Sequence, residues 1–137
     1  HLQSNTGTTI FRALAADNFV QVRRIHATLG TALVAGDFAL DANWGAGAAV
    51  SAVTGTDQGW QATVTAAGIP GLNPVMTLTF KDGTWTNAPI CQAHMNGGSG
   101  VISDFFGQPT ATTWPITYNG TPVAASTYTI TGICVGR

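Results

Sequence analysis

The chain has 137 residues and a formal net charge of -1 at pH 7, and only 8% of its residues are charged, against about 25% in ordinary soluble domains. That length fits one domain with a real core and is too short for two. Five basic residues scattered along the sequence cannot form the stripe that a phosphate backbone requires, and no apolar run approaches the roughly 18 residues that cross a bilayer, which sets aside nucleic acid and membrane insertion.

Thr, Ala, Asn, Gln and 17 glycines stand in for the missing charge; Glu is absent and Lys81 is the single lysine. Strong helix formers other than Ala and Leu are scarce while β-branched residues are plentiful, so the composition predicts an all-β chain. A weakly charged surface keeps monomers apart poorly. This points to an assembled extracellular or virion component rather than a cytosolic enzyme. The first residues lack the basic-then-apolar pattern of a signal peptide.

In chain order, Thr8–Arg12 and Phe19–Arg23 read as two extended runs joined near the turn-favouring pair Asp17-Asn18. This stretch is too thin to make a core alone. Leu29 and Leu33 could share the face of a helical turn, which Gly30 and Gly36 weaken. The clearest alternation follows. A run from Ala48 to Thr54, a turn at Gly55–Gly59 and the run Trp60–Thr65 predict a hairpin, with Trp60, Ala62 and Val64 on its dry face and Gln61, Thr63 and Thr65 on its wet one.

After a loop at Gly68–Pro74, Val75–Phe80 points Met76, Leu78 and Phe80 inward, and Asp82-Gly83 turns the chain. Pro89–Met95 is a further strand, and Trp114–Tyr118 is expected to pair with Thr127–Val135 across a loop opened by Asn119-Gly120. Strands at this spacing predict a sandwich or barrel-like fold. Asn96–Pro109 breaks the pattern: a glycine linker followed by Val101, Ile102, Phe105 and Phe106 at no regular period. A loop of that length inside a compact domain is uncommon and often functional.

The stretch Leu29–Phe38, then Trp44-Gly45, Thr56-Asp57-Gln58, Asn73-Pro74 and Leu78-Thr79-Phe80-Lys81-Asp82-Gly83-Thr84-Trp85, resembles the C-terminal domain of tailed-bacteriophage fibre proteins. The ending Asn119–Ile130, with its Pro122-Val123-Ala124-Ala125-Ser126-Thr127-Tyr128-Thr129 string, resembles the closing hairpin of those chains. The resemblance implies a homotrimeric β-sandwich-like knob over residues 29–137, at the distal end of a virion fibre, preceded by a short extended shaft segment over residues 1–28. It implies a receptor-binding adhesin that attaches the virion to a bacterial surface glycan or outer-membrane protein. The alternatives are a capsule-degrading depolymerase, a head-decoration fibre and a bacterial adhesin derived from phage. Low charge suits a large homotypic interface and agrees with the trimer.

Fibres are expected to differ from one another in the irregular segment, which makes Asn96, Ser99, Ile102, Asp104, Phe105, Phe106 and Gln108 the candidate receptor contacts. Among the four tryptophans, Trp60 and Trp114 alternate with apolar neighbours and read as core, whereas Trp44 and Trp85 stand beside turn residues as candidates for stacking on sugar rings. Cys91 and Cys134 admit a disulfide, but a reducing site of virion assembly favours two buried free thiols.

Catalytic and metal chemistry find little support. Cys91 and His94 are three apart on a strand, so they point to opposite faces and cannot share an ion without a bulge; only a ring of His26 or His94 about a threefold axis escapes that argument. Ser99, His94 and Asp104 are the residue types of a nucleophilic triad, yet Val101 occupies the last glycine position of the Gly-x-Ser-x-Gly elbow. All six acidic residues are Asp, most of them in turns, which is poor material for a glycosidase pair. No cofactor is expected.

Overall fold

The computed structural model describes residues 30–98 and 105–136, together with four short strands before residue 30. Those four form two antiparallel pairs: β1 (Leu2–Gln3) with β2 (Thr9–Phe11), and β3 (Ala13–Leu14) with β4 (Phe19–Val20). The shaft expected over residues 1–28 otherwise lies outside the described residues.

The rest is a two-layer β structure without an α-helix among the described residues. One sheet runs β10 (Phe105–Phe106), β11 (Thr113–Tyr118), β8 (Val75–Thr79), β5 (Phe38–Leu40); the other runs β6 (Ala49–Thr56), β7 (Gly59–Thr65), β12 (Thr127–Val135), β9 (Ile90–Gly98). Every pairing is antiparallel. Both sheets bury one face in a single core: Phe38, Met76, Leu78, Trp114, Ile116 and Tyr118 from the first, Trp60, Ala62, Val64, Tyr128 and Ile130 from the second. Period-two alternation produces this division, because one-sided burial fixes which residues of each strand turn inward.

Aromatic rings join the layers. Phe38 meets Trp60 edge-on at 5.0 Å, and Tyr118 meets Tyr128 at 5.6 Å. Such pairs add about 0.5–1.5 kcal/mol each beyond the area they bury.

Hairpin β6–β7 and strands β8 and β9 stand where the alternation predicts, and Met76, Leu78 and Phe80 are buried. The helical turn near Leu33 is a 3-10 turn at Ala35–Asp37. Two expectations are corrected. Trp114–Tyr118 and Thr127–Val135 are not partners; they lie in opposite sheets. Asn119-Gly120 closes no hairpin, because Gly120 donates its N–H to the Asn73 side chain and Asn73 donates its N–H back to the Gly120 carbonyl, tethering the chain to the start of β8 before it crosses over.

Cys91 and Cys134 form a disulfide rather than two free thiols. They face each other across β9 and β12, with Cα atoms 4.1 Å apart. The Cys134 N–H is spent on the Gln58 carbonyl on the other side of β12, so the cysteines occupy a non-hydrogen-bonded pair, the closer of the two antiparallel pairings.

Candidate functional site

The loop after β8 is pinned at both ends by backbone bonds, Phe80 N–H to the Thr112 carbonyl and Trp85 N–H to the Ala111 carbonyl. Between them Asp57, in the β6–β7 turn and only 2% exposed, takes hold of the loop. Its carboxylate accepts the Lys81 N–H at 2.8 and 3.0 Å and the Asp82 N–H at 2.7 Å. Bonds between backbone donors and an ionised acceptor are about twice as strong as neutral ones, which explains why an acid is tolerated in so dry a place. Asp82 in turn accepts the Thr31 N–H at 2.7 Å, and Lys81 pairs with Asp37 at 3.1 Å.

This latch leaves a cleft of about 300 Å3 between the β6–β7 turn and the loop, lined by Asp57, Gln58, Asp82, Thr84, Trp85 and Thr86, with Gly83 completing it. Trp85 is half-buried: its ring meets Phe80 edge-on at 5.8 Å and covers Gly136. Thr84 and Thr86 are exposed, and neither hydroxyl has a hydrogen-bond partner among the described residues. An aromatic wall beside unengaged hydroxyls and one accessible carboxylate can stack on a ring and exchange hydrogen bonds. Asp57 has its oxygens committed to backbone donors, so its part is to shape the cleft.

Trp85 thus lies where a ligand could reach it. Trp44 does not: it is 0% exposed, with its ring 6.0 Å from Tyr118 and 5.9 Å from Tyr128 in the core, which removes it from the candidate stacking residues. The turn-like sequence around it has another cause. Ala42–Trp44 is a 3-10 turn whose N-cap Asp41 accepts the Asn43 N–H, and Gly45 follows at φ 92°, where a Cβ would run into the Ala67 carbonyl.

The irregular segment is partly strand. Asn96 belongs to β9, where a register shift leaves it without a ladder partner, and Gly97 and Gly98 pair with Thr129 and Tyr128. Phe105 and Phe106 form β10 against Tyr118 and Thr117. The Phe105 ring packs 5.9 Å from Tyr118 and helps to line a second cleft of about 250 Å3 with Gln92 and Trp114. Gln108 is exposed. Ser99, Ile102 and Asp104 lie outside the described residues.

His94 is exposed on the outer side of β9, while the Cys91 sulfur is bonded to Cys134. Among the described residues no group of three or more His, Cys, Asp or Glu could hold a metal ion, and no helix is long and apolar enough to cross a membrane. Sequence reasoning names Trp85 but passes over Asp57, Gln58, Asp82, Thr84 and Thr86. The available signal is two Asp-led turns, Asp57-Gln58 at the tip of the β6–β7 hairpin and Asp82-Gly83 after β8. Comparison with family models, curated proteins and solved structures finds no match to the chain.

Proposed function

We propose that the chain is the adhesive tip of a virion fibre, a homotrimer that attaches to a bacterial surface glycan or outer-membrane protein without chemical turnover. The observation that carries this reading is the Trp85 cleft, a formed recess with an aromatic wall and exposed hydroxyls, whose buried acid is committed to shaping it. A site this small binds weakly alone, and three copies on one fibre with many fibres on one particle supply the avidity.

A second feature supports assembly. The outward residues of the β6–β7–β12–β9 sheet include Ser51, Thr54, Gln61, Thr63, Thr65, Thr129, Thr131 and Gln92, and no Asp, Lys or Arg stands among the outward positions. Its far end is apolar, with Ile90, Ile133 and Val135 all exposed on paired strands. Identical faces of this kind can meet without like-charge repulsion.

The test is binding of the fluorescently labelled chain to a panel of bacterial cells, with an assay for reducing ends. Saturable binding to some cells without release of sugar ends supports the reading. Binding to none, or release of reducing ends from capsule, overturns it.

A further inference from the structure

We infer that the Trp85 cleft takes a single uncharged pyranose ring and rejects acidic sugars. This rests on the adhesive reading above and names the chemistry that its site would recognise.

Size sets the first limit. At about 300 Å3 the cleft is at the low end of the range for small-molecule sites, room for one ring rather than a folded oligosaccharide. The wall sets the second. The half-buried Trp85 is braced by Phe80 on one side and by Gly136 under its ring, where a Cβ would come within 2.8 Å of Cζ3. A braced indole loses little freedom on stacking, so the apolar face of a pyranose gains contact at low entropic cost.

Charge decides the class. Among the described residues, the ionisable groups lining the cleft are the carboxylates of Asp57 and Asp82, and no Lys or Arg lines it. Lys81, a neighbouring cation among the described residues, is engaged by Asp37 at 3.1 Å. A uronate, sialate or phosphate would meet like charge with no compensating cation among the described lining residues, whereas neutral hydroxyls can donate to Asp82 and exchange bonds with Thr84 and Thr86.

Trp85 also provides the readout. Trp44, Trp60 and Trp114 are buried, so ligand-induced change in tryptophan emission reports chiefly on Trp85. The intact chain is titrated with methyl glucopyranoside, methyl galactopyranoside and N-acetylglucosamine, and in parallel with glucuronate and N-acetylneuraminate. A saturable shift with at least one neutral sugar is expected, with both acids at least about tenfold weaker. Asp82→Asn should narrow that gap to within about threefold, and Thr84→Val with Thr86→Val should weaken the neutral sugar about fivefold, these hydroxyls being exposed and outside the core. Trp85→Ala, followed by saturation-transfer NMR and checked for folding by circular dichroism, should abolish the contact. No shift with any neutral sugar, or acids bound as tightly as neutral sugars, overturns the assignment. The cell-binding assay separates the two claims: cells bound by a chain that ignores every neutral sugar sink the pyranose assignment alone, whereas sugar binding by a chain that attaches to no cell sinks the adhesive reading.

Discussion

The indole of Trp60 fills the space that a side chain on Gly132 would need. The two residues are cross-strand partners on β7 and β12, and a Cβ on Gly132 would fall 2.8 Å from Trp60 Nε1 and nearer still to Cε2 and Cζ2. From that seat the ring reaches Phe38 and Trp114 of the opposite sheet, at 5.0 and 6.0 Å. One missing side chain therefore sets the position of a residue that joins both layers. Gly132→Ala is expected to destabilise the fold by about 1–3 kcal/mol through overpacking, measured as a lower urea midpoint. Combining it with Trp60→Phe should cost less than the two changes added together, since the smaller ring vacates the contested space. Additive losses would show that the two residues do not compete for it.

The Cys91–Cys134 bridge closes a long loop, with a sequence separation of 43. Chain-entropy reasoning assigns such a crosslink about 4 kcal/mol, with typical measured values of about 2–4 kcal/mol. Replacing both cysteines by alanine should lower the guanidinium midpoint accordingly, and added reductant should destabilise the native chain but leave the double variant unmoved. Alkylation without reductant, followed by mass measurement, should find neither cysteine modified.

What the sequence discloses here is alternation, and what it conceals is connection. Trp60, Ala62 and Val64 can be assigned to the dry face of β7 because each strand carries its own period-two signal. Whether Tyr118 and Tyr128 are ladder partners or meet across two sheets depends on the tether between Asn73 and Gly120, residues distant in sequence. Trp44 fails as a surface candidate for a related reason. Its turn-forming neighbours mark a chain reversal, and only the assembled layers show that the reversal drives the indole into the core. The cleft is half legible: Trp85 stands out by type, while Asp57 looks like an ordinary turn residue until the loop after β8 arrives to use its oxygens.

Asp57 provides a third prediction. Its carboxylate holds the N–H groups of Lys81 and Asp82 from a buried position, and hydrogen bonds to charged groups contribute about 1.5–3 kcal/mol each. Asp57→Ala should lower stability by several kcal/mol, and Asp57→Asn, which keeps one acceptor oxygen, by less. Amide hydrogen exchange is the sharper measurement. Lys81 and Asp82 amides should be protected in the native chain and exchange markedly faster in Asp57→Asn, with β7 and β12 amides slowed as before. Uniform acceleration across the core would show that Asp57 supports the whole fold rather than the cleft.

In the proposed trimer, the apolar end of the outer sheet face is where copies of the chain are expected to meet. Ile133 and Val135 project outward from β12, with Ile90 beside them on β9, and all three are more than half exposed. Ile133→Lys combined with Val135→Lys adds repelling charge to a face that carries no Asp, Lys or Arg and removes apolar area, while their buried neighbours on β12, Gly132 and Cys134, keep their packing. Circular dichroism should therefore be unchanged, and sedimentation at dilute concentration should move from a trimer to a monomer. The same pair of lysines should weaken attachment to cells through lost avidity and leave the affinity of each cleft for a single sugar within about twofold, because the Trp85 cleft lies outside this pair of positions. A trimer that survives both lysines would place the homotypic contact on another surface, and a monomer seen before any substitution would remove the multivalent part of the proposal.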